Sequence, residues 1–200
     1  MNVTLREYKK EDFNVLQDIV RKTWRYDEFS RPKTARKLAG AFLSSCLTNY
    51  TYSSVALNNG KPVGIILVNN KAKHKCSFCL RVQQMRVIMS LYLSKEGRRV
   101  SKIFKSVNRI DQELLKECEI EYPAELALFV VDSFCRGKGI GKQLFQSALE
   151  YMKEQNVDTF YLFTDTSCNY GFYEHQGMIR KGEKKHTISV NGWSAKMNFF

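Results

Sequence analysis

The chain has 200 residues, 44% of them hydrophobic, and a net charge of +12. Those values exclude a disordered or collagen-like chain and suit one domain spanning residues 1–200. The longest uncharged run, Leu38 to Gly60, is laced with Ser, Thr and Asn, and the first dozen residues carry Arg6, Glu7, Lys9, Lys10, Glu11 and Asp12. A soluble, cytoplasmic protein without a leader or membrane partner is expected.

In chain order, Val3 to Tyr8 alternates as a first strand, and Glu11-Asp12 opens a helix with Phe13, Leu16, Ile19 and Val20 on one stripe. A second helix is expected from Pro32 to Leu47, with proline at its start. Ser53–Leu57 and Val63–Val68 flank Asn58-Asn59-Gly60, the chemistry of a tight hairpin turn. Residues 70–118 carry apolar residues at helical spacing, Val82 to Leu91 and Ile103 to Leu115, with Gly97 as the expected breaker. We read them as two helices inserted between the third and fourth strands. After Pro123 come a strand Glu125–Val131, a glycine-rich turn, a helix to Gln155 and a strand Thr159–Thr164. A short helix near Cys168–His175, a strand from Met178 and a hairpin closed by Asn191-Gly192 complete the chain. Hairpins at both ends and one strand–helix–strand unit between them define an α+β fold with a mixed sheet.

The six cysteines are scattered and read as reduced thiols in the core. Their one local cluster, His74-x-Cys76-x-x-Cys79, lacks a second CxxC, so no metal is expected. Charge is uneven. Residues 70–118 hold 12 cations and 4 anions, a net +8, whereas residues 119–200 hold 9 and 10.

The chemistry concentrates at Arg136-Gly-Lys-Gly-Ile-Gly141, between an apolar strand and a helix. Unpaired N–H groups at a helix start attract anions, and glycines let a phosphate approach the backbone. Arg136, Lys138 and Lys142 add positive charge, so the turn reads as a pyrophosphate cradle. It is not a P-loop, which needs G-x-x-x-x-G-K-[ST]. Nor is it the dinucleotide fingerprint, because Lys142 stands where the third glycine belongs.

The spacing resembles the Q/R-x-x-G-x-G/A signature of the GNAT N-acetyltransferases, and Phe172-Tyr-Glu-His-Gln-Gly-Met178 resembles that family's F-Y-x-x-x-G-F. The likeness is strongest over residues 119–182. Met178 replaces the usual phenylalanine, Thr166 stands where asparagine is common, with Asn169 nearby, and Ser133 replaces a frequent proline. The resemblance implies a GNAT-like, largely antiparallel sheet flanked by helices, with the 70–118 insertion before the fourth strand. It implies acetyl-CoA as co-substrate, held by Arg136, Gly137, Lys138, Gly139, Ile140, Gly141, Lys142 and Asn169. The backbone at Val130 or Val131 would polarise the thioester carbonyl, and Tyr173 would protonate the leaving thiolate. Glu125 aligns with the base of some members, with Glu121 and Glu119 as alternates. Strict alternation places Glu125, Ala127, Phe129 and Val131 on one face.

Direct acetyl transfer to a small-molecule or peptide amine, by a monomer or homodimer, is the expected activity. A CoA-sensing module without turnover is the alternative. The basic insertion favours an acceptor with a carboxylate or phosphate beside its amine, and no nucleic-acid motif is present.

Overall fold

The computed structural model describes residues 3–73, 77–190 and 192–200. Strand β1 (Val3–Arg6) leads to helix α1 (Phe13–Thr23), which buries Leu16, Ile19 and Val20 as the sequence predicts. The joint between them is ionic. The Asp12 carboxylate, 2% exposed, accepts two bonds of 2.7 Å from the Arg6 guanidinium and one of 2.8 Å from Lys9 N–H. Helix α2 (Pro32–Thr48) has its proline in the first turn, and β2 (Tyr52–Asn58) pairs antiparallel with β3 (Lys61–Asn70). Asn59 and Gly60 both adopt left-handed backbone in the turn, at φ 50° and 78°, which is what a two-residue hairpin loop requires.

The insertion forms α3 (Phe78–Tyr92) and α4 (Lys95–Glu117). The break falls at Leu93-Ser94, not at Gly97. Ser94 caps α4 by accepting from Gly97 N–H at 2.9 Å. Gly97 serves close packing instead, since a Cβ there would lie 1.9 Å from the Leu91 carbonyl oxygen. Helix α3 packs mainly on α2, and α4 covers the C-terminal hairpin through Ile110 and Leu114. His74 and Cys76 lie outside the described residues; Cys79 is exposed.

Strand β4 (Ala124–Val131) pairs antiparallel with β3, and helix α5 (Ile140–Glu154) packs Ile140, Leu144, Phe145, Ala148 and Met152 beneath the sheet. Next come β5 (Phe160–Tyr161), helix α6 (Gly171–His175) and the hairpin β6 (Lys184–Val190) and β7 (Trp193–Phe199). The expected strand from Met178 starts later, at Lys184. In the hairpin turn Gly192 has φ 82°, and Asn191 lies outside the described residues. The main sheet runs β1-β2-β3-β4-β5, antiparallel except for the last pair, and β6-β7 stands apart. No helix among the described residues is long and apolar enough to cross a membrane.

Two departures from the sequence reading shape the site. The expected strand Thr159–Thr164 pairs with β4 only through Phe160 and Tyr161. The chain then crosses to the end of β7, where Thr164 and Phe200 exchange backbone bonds of 3.2 and 2.9 Å, so β4 loses its neighbour beyond Glu125. Second, β4 bulges at Ala127: Leu67 faces Leu128 while Val68 faces Leu126. One extra residue turns the following side chains to the opposite face. Leu126 therefore packs with α5, and Leu128 packs with α1 and α2.

Candidate active site

The gap left by the divergence of β4 and the chain after β5 is a cavity of about 740 Å³. Every residue from Leu126 to Val131 lines one wall, and Leu162 to Thr164 line the other. Over this stretch β4 presents a sheet edge with no strand beside it, and such an edge offers backbone N–H and C=O groups to a ligand.

One end of the cavity is the glycine turn. Gly137 and Gly139 hold φ of 73° and 78°, conformations in which a side chain is strained, and nothing lies within 4 Å of the position either Cβ would take. Gly139 caps α5, and Gln143 N–H donates to Gly139 O at 3.1 Å. The N–H groups before Gln143 head the helix without intrahelical partners. Lys22, Arg25, Arg136 and Lys142 line the cavity against one carboxylate, Asp132. Backbone donors, a helix dipole and excess cationic charge make this end suited to a pyrophosphate.

The predicted cradle residues divide by role. Arg136, Gly137, Gly139, Gly141, Lys142 and Asn169 line the cavity, as do Val130 and Val131. Ile140 is buried in the core, and Lys138 turns back to donate to Phe134 O at 2.9 Å. Neither side chain lines the cavity, so what they would offer a ligand is main-chain N–H. Lys22, Trp24 and Arg25, from the end of α1, were not signalled by any motif; they reach the site only because α1 packs across β4.

Tyr173 stands in the cavity wall, its ring 6.2 Å from that of Phe129. Burial first, then the neighbouring Cys168, pushes its pKa well above the usual phenol range, so the hydroxyl keeps its proton. Cys168 also lines the cavity, and burial followed by the charge of Asp165 raises its thiol to about 11. Cys46 is raised to about 12, chiefly by burial. Both are thiols, not thiolates, at neutral pH.

Glu125 is placed differently from the sequence expectation. The bulge at Ala127 separates it from Phe129 and Val131; it shares a face with Leu128 and Val130, toward α2 and α4. Its side chain is not part of the cavity lining. Burial raises its pKa, and the side chains of Asn69 and Tyr161 and the Lys71 ammonium offset part of that rise. The alternates Glu119 and Glu121 are exposed and line neither this cavity nor its neighbour.

Two further carboxylates gather near Glu125. Asp111 of α4 is raised to about 7 by burial first, then by the like charges of Asp165 and Glu125. Asp165 adjoins Thr164 in the cavity wall and accepts from Ser167 N–H at 2.6 Å. Sequence reading passed over Asp111, although a carboxylate between Ile110 and Leu114, on an otherwise apolar stripe, is the available signal. A second cavity, about 110 Å³, lies behind the Leu162–Thr164 wall. It shares Tyr173 with the first and takes Leu114 and Leu115 from α4 and Cys118 from just beyond it. Arg98, Arg99 and Lys102 line neither cavity.

Comparisons with known proteins bear on the fold. Residues 104–178 match the acetyltransferase (GNAT) family. The crystal structure of SsHAT is similar over the whole chain, covering 98% of that protein at 18% identity and a TM-score of 0.60. Ard1 from Thermoplasma volcanium is similar over 100% of this chain and 97% of that one, at 15% identity and a TM-score of 0.57. An N-acetyltransferase from Staphylococcus aureus Mu50 is similar over 100% and 96%, at 17% identity and a TM-score of 0.54. No curated protein matches the sequence. The chain has the GNAT fold, and its residues 104–178 match the model of the acetyltransferase (GNAT) family.

Proposed function

We propose that this protein transfers an acetyl group from acetyl-CoA to an amine by direct attack within a ternary complex. The observation that carries the reading is one continuous cavity. It joins a cationic glycine turn to the unpaired edge of β4 and to Tyr173.

In this reading the α5 N-terminus, with Arg136 and Lys142, holds the pyrophosphate, and the open edge of β4 pairs with the pantetheine amides. A backbone N–H near Val130 or Val131 stabilises the oxyanion as the amine nitrogen bonds to the carbonyl carbon. The carbon–sulfur bond then breaks, and Tyr173 gives its proton to the departing sulfur. Its raised pKa keeps it protonated until a basic thiolate forms beside it. Direct attack is favoured over an acetyl-cysteine intermediate because Cys46 and Cys168 are held as poorly nucleophilic thiols.

The test is a panel of amines with acetyl-CoA, following free thiol and acetylated product together. Stoichiometric thiol and acetyl-amine are expected. Tight CoA binding with no thiol release from any amine would overturn the transferase reading in favour of a CoA-sensing module.

A further inference from the structure

Helix α3 is apolar on two sides, and only one of them is covered. Val87, Ile88 and Leu91 pack into the core against α2. The same side is tied down by polar bonds, from Lys37 to Ser90 O at 2.6 Å and from Gln84 to the Ser45 hydroxyl at 3.1 Å. At 100° per residue the opposite side carries Phe78, Val82, Met85, Met89 and Tyr92. Phe78 is 81% exposed, Met85 60% and Met89 62%, and Leu93, just beyond the helix, is 81% exposed. Of the ten exposed large hydrophobic side chains among the described residues, five lie in this one stretch. A helix that is apolar all round is normally buried all round, and a contiguous exposed apolar face marks an interaction site.

Spacing and charge define the partner. Residues 78, 82, 85, 89 and 92 alternate steps of four and three, the seam of one helix packed along another. In that register Arg81 falls at heptad position g and Arg86 at position e, one on each flank of the seam, and both are exposed. Charges at e and g select the partner helix. A second copy of α3 would set arginine against arginine, whether it ran parallel or antiparallel. The surroundings repeat the sign: between Asn70 and Glu96 the sequence has six lysines and arginines and no aspartate or glutamate. Glu96 itself is turned to α2, where it accepts from Arg31 N–H at 2.9 Å and from the Thr34 hydroxyl at 2.7 Å.

We propose that the outer face of α3 is a docking surface for an acidic amphipathic helix of another protein, apolar along its own heptad seam and carrying glutamate or aspartate on its flanks. A lipid surface needs an apolar face of no particular register, so the four-three spacing and the flanking arginines favour a helix. Methionine, arginine and aromatic residues are the types enriched in protein interfaces, and methionine adapts its shape to what it meets. Packing on α2 already orders the face, so most of the freedom lost on docking is the partner's. At about 1.5 Å per residue, α3 presents roughly 22 Å of seam, enough for two heptads. No residue of α3 lines the cavity of the candidate active site, so the surface stands whether or not the protein is a transferase.

The probe is a synthetic peptide of about three heptads with leucine at a and d and glutamate at e and g, titrated onto the full chain and followed by fluorescence anisotropy. Saturable binding in roughly the micromolar range is expected, weakening as salt rises, with residues 78–93 protected from hydrogen exchange. Met85→Glu combined with Met89→Glu, at two exposed positions, should weaken binding at least roughly tenfold while leaving CoA affinity unchanged. Arg86→Glu, which leaves the apolar seam whole, should weaken it roughly three- to tenfold at low salt. The same peptide with lysine at e and g should not bind. Failure of the glutamate peptide to bind, equal binding of the lysine peptide, or protection confined to other residues would each overturn the proposal. So would a dimer of the chain that Met85→Glu and Met89→Glu dissociate, or binding to phosphatidylserine vesicles without binding to the peptide.

Discussion

Two parts of the cavity wall are built in opposite ways. The phosphate end is a contiguous stretch, Arg136 to Lys142, in which backbone conformation carries the chemistry: two glycines with positive φ and the open N-terminus of α5. Another part of the wall is assembled from side chains, Trp24, Phe42, Phe129 and Tyr173, brought together from four separate parts of the chain. A backbone-built site tolerates almost any side chain that keeps the turn; a side-chain-built site depends on how distant elements pack. The bulged and unpaired part of β4 runs along both.

That contrast is open to attack from several sides, beginning with the largest effect. Gly139→Glu forces a side chain into left-handed backbone and sets a carboxylate against a pyrophosphate, a like-charge contact worth several kcal/mol. Calorimetry with CoA should show a loss of roughly 10²-fold or more at unchanged circular dichroism. Unaltered affinity would remove the phosphate end from the account.

Asp12→Asn lies outside both ends and sharpens the comparison as a control. Burial disfavours its charge, but Arg6 and Lys9 N–H outweigh burial and hold its pKa below the usual carboxylate range. The ion pair therefore contributes stability above the unfolded carboxyl value near 4, and that contribution is lost as pH falls further. Removing the charge should destabilise the fold by roughly 3 kcal/mol at pH 7, read by denaturant unfolding. A loss of CoA affinity at temperatures where the variant is folded would show that the two ends are not set by local residues alone.

Tyr173→Phe should lower kcat roughly 10²-fold and leave CoA affinity intact. A wild-type rate would reduce Tyr173 to packing against Phe129. Cys168→Ala gives the smallest expected change, a kcat within about threefold of wild type, since a thiol raised to about 11 is a poor nucleophile. Trapping an acetyl group on Cys168 in wild type would replace direct attack by a two-step transfer.

The same contrast governs what the sequence makes legible. The cradle can be read from seven consecutive residues because turn glycines and a following amphipathic helix are local signals. The hairpin at Asn59-Gly60 and the start of α2 at Pro32 are legible for the same reason. The bulge at Ala127 is not, because Ala-Glu-Leu-Ala-Leu alternates without interruption; it follows from register with β3, and it moves Glu125 to the other face. The crossing of residues 162–166 to β7, which opens the cavity, is likewise decided by pairing with the far end of the chain. Asp111 was read only as part of a charge count over 70–118, where it is outnumbered by cations. Its partial burial is a property of helix packing.

The most direct measurement is a steady-state titration of acetyl-CoA at saturating amine with Lys142→Glu and Tyr173→Phe, both in the cavity wall. The account predicts that Lys142→Glu raises the KM for acetyl-CoA and leaves kcat within about threefold of wild type. Tyr173→Phe should lower kcat roughly 10²-fold without moving the KM for acetyl-CoA. Both variants shifting both parameters alike, or each shifting the parameter assigned to the other, would contradict the division of the cavity.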